Sequence, residues 1–181
     1  MVLHILPFRE SNSNLNLEQK PMSDGQGIIE LRLILRESKT IAVVGLSANW
    51  YRPSYFAAKY MQEHGYKIIP VNPAYKGQEI LGERCYSSLD EIEERVDMVD
   101  CFRKSEDIMP VAEQSVLIGA KVLWLQLGVK NEEASQVAGN AGIAYVEDRC
   151  VKIEHGRLFG GLNWVGVNTK VISSKRPKWL P

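Results

Sequence analysis

The residues best placed for chemistry lie in one short stretch, Thr40-Ile-Ala-Val-Val-Gly-Leu-Ser-Ala-Asn-Trp-Tyr-Arg-Pro-Ser-Tyr55. An apolar run from Ile41 to Val44 reads as a buried parallel strand and stops at Gly45. Polar residues follow, and Arg52-Pro53-Ser54 opens a helical pattern. A strand that turns through glycine into a helix start is suited to holding phosphate. The first N–H groups of the helix have no internal partner, and its dipole favours negative charge there. Gly45 lets backbone come close to a neighbour, and Pro53 suits a first helical turn. Ser47, Asn49, Arg52 and Ser54 add side-chain donors. The same pattern also fits a strand–helix loop with no ligand, which is common in α/β folds.

Other reactive side chains are sparse. Cys85, Cys101 and Cys150 are odd in number and widely spaced, which is no disulfide framework and fits a reducing cytoplasm. Cys101 falls in an apolar run, where a thiol behaves as a small hydrophobe. Cys150, Glu154 and His155 form a loose group, but zinc takes four ligands at recognisable spacing, so packing or solvent contact explains them more cheaply. No metal site is expected. Trp124 and Gln126 share one side of a strand by two-residue alternation, which places them at a crevice or in the core.

The elements that position these residues follow from periodicity. Ile28, Leu31, Ile34 and Leu35 predict a helix over 27–38, ahead of the strand Ile41–Gly45. A helix over 53–64 presents Phe56, Ala57, Tyr60 and Met61. The strand 67–71 contains Pro70, which predicts irregular or missing pairing at that position. Residues 74–88 carry turns and a short strand near 84–86, and 89–95 a brief helical piece. Strands are expected over 96–102, 121–127 and 143–147. Between them lie a helix with Pro110 in its first turn, and one capped by Asn131 with Glu132 and Glu133 in its first turn. Three helices end in glycine about two residues before a strand, at Gly65, Gly119 and Gly142.

Helices alternating with strands through such short joints imply right-handed crossovers and a parallel sheet. The fold expected is α/β, a doubly wound, Rossmann-like parallel sheet with helices on both faces and strand order 3-2-1-4-5-6. Its crevice lies between the first and fourth strands, where the crossovers diverge. The residues just past those strands are Gly45–Ser54 and Phe102-Arg103-Lys104, so the glycine loop faces a second basic pair. That placement suits a phosphorylated ligand.

The 181 residues suffice for one well-buried domain, and 45% hydrophobic with 24% charged residues is an ordinary globular composition. A net charge of zero gives no electrostatic footprint for nucleic acid. No run of 18 apolar residues exists, and the first 20 residues lack the order of a secretory signal. Residues 1–24 read as a disordered extension, 25–155 as the domain, and 156–181 as a C-terminal extension whose basic residues read as a solvated tail. The expected location is the cytoplasm.

Two phosphate motifs do not match. A P-loop needs Gly-Lys-Ser/Thr, which is absent. The dinucleotide fingerprint needs three glycines, and Ser47 and Trp50 replace two of them. It also needs an acidic residue ending the second strand, where this chain has Val71-Asn72-Pro73.

Five motifs in collinear order carry a resemblance. They are Val44-Gly-Leu-Ser-Ala-Asn with Arg52-Pro-Ser-Tyr, Gly65-Tyr-Lys-Ile-Ile-Pro-Val-Asn-Pro, Val96-Asp-Met-Val-Asp-Cys-Phe-Arg, Gly119-Ala-Lys-Val-Leu-Trp-Leu-Gln-Leu-Gly and Glu147-Asp-Arg-Cys. Over about residues 27–155 the chain resembles the stand-alone CoA-binding protein family. That family is similar in fold to the N-terminal domain of the succinyl-CoA synthetase alpha subunit. The resemblance implies that Gly45, Ser47 and Asn49 wrap the ligand phosphates, with Arg52, Pro53 and Ser54 at the helix start. It implies that Val71, Asn72 and Pro73 lie against the nucleotide. Phe102 and Arg103 follow the fourth strand, and Gln126 ends the fifth. Trp50 departs from the small residue or proline expected there.

The synthetase chemistry does not come with the likeness. It needs a phosphate-accepting histidine in a second domain and a nucleotide-binding partner subunit. This chain has only His4, His64 and His155. The expected function is binding of coenzyme A or an acyl-CoA without catalysis, with no nucleic-acid or membrane partner. The alternatives are an enzyme using acyl-CoA or NAD(P) in the same crevice, and a CoA-sensing regulatory module that contacts a partner through 156–181, with Trp164 and Trp179.

Overall fold

The computed structural model describes residues 24–160. The expected disorder of the leader and the expected partner surface with Trp164 and Trp179 fall outside these residues, apart from Asp24, which begins a helix. In chain order the elements are α1 (Asp24–Glu37), β1 (Thr40–Val44), α2 (Pro53–Glu63) and β2 (Lys67–Val71). A small hairpin, β3 (Glu79–Ile80) and β4 (Glu83–Arg84), precedes β5 (Met98–Cys101) and α3 (Ile108–Leu117). Then come β6 (Val122–Leu125), α4 (Glu132–Asn140), β7 (Ala144–Val146) and α5 (Val151–Phe159).

Local chemistry sets the boundaries. Pro53 opens α2, and the Asn131 side chain caps α4 by accepting from the Ala134 N–H at 2.8 Å. Gly65 and Gly142, just past α2 and α4, have φ of +88° and +72°, the left-handed turn that side chains other than glycine resist.

Five strands form one parallel sheet in the order β2-β1-β5-β6-β7. The fold is therefore the expected doubly wound, Rossmann-like one, with a difference at its edge. The expected third strand does not join the sheet. Residues 79–84 fold back on themselves as β3–β4, and only Tyr86 meets the sheet, through a single parallel bridge to Val71. Pro70, expected to disturb its strand, sits in regular register with Val43. It is tolerated because β2 is the edge strand. The Pro70 carbonyl faces outward and accepts from Tyr86 N–H at 2.9 Å, so the missing N–H removes no bond to β1. Of the expected helical piece over 89–95 only a 3-10 turn, Leu89–Glu91, forms.

Two cores cover the sheet. On one face α1, α2 and α5 bury Leu31, Leu35, Met61, Val151 and Leu158 against Ile41, Val43, Met98 and Trp124. On the other, α3 and α4 bury Ile108, Ala112, Ala134 and Ala138 against Ala42, Val99, Leu123 and Leu125. The sequence reading lacks α5. This helix continues past residue 155 and packs on α1 and α2.

Candidate functional site

β1 and β5 are neighbours in the sheet. The chain leaves β1 through α2 toward one face and leaves β5 through α3 toward the other. Their C-terminal ends therefore flank a crevice, the place where ligands bind in open α/β sheets.

Gly45 sits on its edge with φ of +85°. A Cβ there would lie 2.5 Å from the Phe102 carbonyl oxygen and 3.2 Å from Arg103 Cδ. The glycine is thus required first by the backbone just past β5, and any closeness to a ligand comes in addition. This contact brings the glycine loop and the Phe102–Arg103 pair together, as their places in the sequence predict. Phe102 N–H donates to the Val44 carbonyl at 2.8 Å and holds the pair in place.

The loop spends part of its polar inventory on its own shape. Ser47 N–H donates to Ser54 Oγ at 3.2 Å, and Asn49 N–H donates to Ser47 Oγ at 3.1 Å. The Asn49 carbonyl accepts from Arg52 N–H at 3.0 Å. Ser54 is buried, so its hydroxyl organises the loop from below. Arg52 is the N-cap residue of α2, makes no side-chain capping bond, and is exposed with Pro53. Arg103 is exposed too and lies 3.8 Å from Asp107, one turn along. Arg52 thus follows β1 and Arg103 follows β5, both exposed.

The end of β2 closes one side. Val71 is buried, and its carbonyl accepts from Gly45 N–H at 2.8 Å. Asn72 Nδ2 donates to the Leu46 carbonyl at 2.9 Å, and its Oδ1 accepts from Ala74 N–H at 3.1 Å. Asn72 thus ties the glycine loop to β2, and Pro73 starts a 3-10 turn beyond it. Lys76 Nζ is held by Glu91 at 2.7 Å. Lys76, and after it Ser87, draw the Glu91 carboxyl down to about 2.

Past the end of β6, Gln126 is 6% exposed and donates from Nε2 to Asp100 Oδ1 at 2.5 Å. Asp100 lies on β5, 1% exposed, and burial pushes its carboxyl up to about 7 against the pull of the Gln126 bond. Sequence reasoning did not single out Asp100. The available signal was a charged residue in the middle of the apolar run 98–102. Trp124 is fully buried and donates from Nε1 to the Arg149 carbonyl at 2.7 Å, which makes it a core residue and not a crevice wall. Cys101 is sealed in the core, and burial pushes its thiol up to about 12.

The loose group at the chain's end separates. Glu154 is engaged by Arg149 and Arg157. Cys150 is half-buried at the N-cap of α5, and burial raises its thiol above the usual range. His155 bonds Tyr60 on α2, and burial, then the His64 ring, lower it below the usual imidazole range. Among the described residues no three His, Cys, Asp or Glu side chains cluster as metal ligands, and no helix is long and apolar enough to cross a membrane.

A doubly wound parallel sheet with a glycine turn after its first strand defines an α/β domain of the Rossmann-like class. The comparisons then specify it. The profile of the CoA binding domain matches residues 39–156, and the chain belongs to that family. It is 45% identical over 126 residues to the uncharacterized protein YneT of Bacillus subtilis (strain 168), covering 70% of this chain and 92% of that one. The structure of a hypothetical protein from Pyrococcus horikoshii OT3 is 41% identical, with a TM-score of 0.72 over 80% of this chain and all of that one. The cell-free ID.343 protein from Thermus thermophilus is 38% identical, with a TM-score of 0.71 over 73% of this chain and 98% of that one.

Proposed function

We propose that the protein binds coenzyme A or an acyl-CoA in the crevice between the C-terminal ends of β1 and β5, and that it performs no chemistry on it. The ligand diphosphate lies at the N-terminus of α2, between Arg52 and Arg103. The adenosine side lies toward Val71, Asn72 and Pro73, and the pantetheine arm passes toward Phe102 and Gln126. Cytoplasmic residence, a domain spanning about 25–155 and independence of nucleic acid and membrane belong to the same reading.

The observation that carries this reading is a pair of exposed arginines just past the switch-point strands, Arg52 at the N-cap of α2 and Arg103 beside Gly45, in a chain of the CoA-binding domain family. A basic, dipole-favoured rim suits a diphosphate. The titratable side chains beneath it, Asp100 and Cys101, are sealed by the fold, and both are shifted toward their neutral forms. That favours a holder over a catalyst.

Calorimetry with coenzyme A on Arg52→Ala and Arg103→Ala tests the placement. Each loss of a charge-assisted hydrogen bond should weaken binding by about 1–3 kcal/mol. Folding should be unchanged, because the exposed Arg103–Asp107 pair contributes little to stability. Wild-type affinity in both variants would place the diphosphate elsewhere.

A further inference from the structure

α5 packs on α1 and α2, and His155 stands at the joint. Its side chain is buried, 7% exposed, among aromatic rings from three elements. Tyr60 and His64, from the end of α2, have centroids 5.6 Å and 5.0 Å away. Tyr66, just ahead of β2, lies at 5.5 Å, and Phe159, one turn along α5, stacks at 5.0 Å. This box is held in shape from outside. Tyr66 donates its hydroxyl to the Leu35 carbonyl at 2.6 Å, and His64 donates Nδ1–H to the Tyr60 carbonyl at 2.7 Å. A cavity of about 190 Å3, lined by His155 and His64 with Arg36 and Lys39, borders the box and has room for water. None of these residues belongs to the crevice.

His155 Nδ1 lies 3.2 Å from the Tyr60 hydroxyl, a bond that joins α5 to α2. A neutral ring suits this place in either tautomer, because a hydroxyl can donate or accept. A charged ring does not suit it, since the groups around it are neutral or cationic. α2 offers Tyr60 and His64, and the approach to β2 offers Tyr66. α1 offers Arg32, over the Phe159 ring at 5.5 Å, and Arg36, with Lys39 following. α5 itself brings Lys152, 5.9 Å from the Tyr60 ring centroid, and Arg157. The carboxylates of these helices are engaged elsewhere or exposed. Glu154 is taken by Arg149 and Arg157, Glu37 by Arg36 at 3.5 Å and Glu63 by Lys59 at 3.9 Å, and Glu30 is exposed further up α1. Burial holds both phenols above their usual range, Tyr66 at about 12, so neither supplies negative charge near neutrality.

We propose that His155 is an acid-sensitive latch on α5: protonating its ring favours the opening of α5 away from α1 and α2, ahead of the sheet. An imidazolium in the box is desolvated and stands 5.0 Å from a second imidazole. Burial first, and the His64 ring after it, accordingly lower His155 below the ordinary imidazole value. The ring then takes a proton more readily with α5 open than with α5 packed. Its contribution to packing is complete above about pH 6.5 and is lost as pH falls below that value. α5 is the element that can respond by itself. It is anchored to the sheet at its start, where Arg149 N–H donates to the Leu125 carbonyl at 3.3 Å and the Arg149 carbonyl accepts from Trp124 at 2.7 Å. His155 and Leu158 lie in its second half, beyond that anchor. Opening there breaks no bond of the strand ladder, which is the character of a local, low-energy opening.

The test is hydrogen exchange of the full chain, read as protection relative to unfolded-chain rates at each pH, together with NMR titration of the histidine rings. From about pH 7.5 to about pH 5.5, protection over residues 151–159 should fall by up to about tenfold, since one pH unit below 6.5 is worth at most one factor of ten. Protection of β1, β5 and β6 should not fall with it. The His155 ring should titrate below 6.5. His155→Phe fills the box and cannot charge, so it should abolish the pH dependence. His64→Gln, at an exposed position, should raise the His155 midpoint and shrink the loss of protection, which a merely structural role for His64 would not do. A His155 midpoint at or above 6.5 would overturn the proposal. So would a loss of protection shared equally by the sheet, or one that persists unchanged in His155→Phe. If His155→Phe does not fold, His64→Gln decides: an unmoved midpoint with an undiminished loss overturns the latch.

Discussion

Asp97 and Asp100 sit three residues apart and are driven in opposite directions. Burial pushes Asp97 up, but Lys121 and the N–H groups of Lys39 and Thr40 outweigh it and hold the carboxyl below its usual value. Asp100 has only Gln126, which cannot offset full burial, so it rises to about 7. The consequences for stability have opposite signs. Asp97 stabilises the ionised fold, and that contribution is lost as pH falls through its depressed folded value. Asp100 is most compatible with folding below its unfolded value of about 4. Its contribution is lost as pH rises toward 7, because the fold must then keep protonated a carboxyl that ionises freely in the unfolded chain. Asp100→Asn keeps an acceptor for Gln126 and cannot ionise. Its melting temperature, relative to wild type, should therefore be distinctly higher at pH 8 than at pH 5. A constant difference across that range would mean that Asp100 is already ionised in the folded protein at pH 5, so that its carboxyl is not raised.

The crevice depends on a tether between elements, from the end of β2 to the loop after β1. Asn72 supplies it by bonding the Leu46 carbonyl and the Ala74 N–H. Asn72→Ala should lower unfolding free energy by about 1–2 kcal/mol, the usual worth of such bonds. It should also speed amide exchange over residues 46–52 and weaken coenzyme A binding. Unchanged exchange would show that the loop holds its own shape. The sequence reading places Asn72 at this strand end, but its bond to residue 46 is long-range and carries no local signature. Gly45 was legible as a glycine position, yet its demanding neighbour is Phe102, 57 residues away. The hairpin 79–84 displaced an expected strand because turn residues fix where a chain reverses but not what it pairs with. α5 escaped notice for a different reason. Its buried positions are Val151, Glu154, His155 and Leu158, a helical spacing whose centre is polar. Glu154 is buried because Arg149 and Arg157 satisfy it, and His155 because Tyr60 on α2 does, and periodicity of apolar residues cannot see that.

For the whole molecule the question is which nucleotide this sheet selects. A dinucleotide site needs a carboxylate at the end of β2 to accept the ribose hydroxyls. This chain offers Asn72 there, and its side chain is spent inside the protein. Coenzyme A should therefore bind at least tenfold more tightly than NAD, a gap of about 1.4 kcal/mol. Coenzyme A also carries a phosphate on its ribose, and Lys76 is the nearby cation on the β2 side. Its ammonium is held by Glu91 and Ser87, so the extra phosphate must compete with a carboxylate for it. Glu91→Gln removes that competitor without touching the Asn72 tether. It should raise affinity for coenzyme A while leaving dephospho-CoA unchanged, and the effect should shrink at high salt because the pair is exposed. Asn72→Asp would be a poor substitute, since a carboxylate facing the Leu46 carbonyl loosens the loop for every ligand. Titrating coenzyme A, dephospho-CoA and NAD at one salt concentration separates the cases. An equal response of both CoA forms to Glu91→Gln would remove Lys76 from the site. NAD binding as tight as coenzyme A in the wild type would instead make the crevice a dinucleotide site.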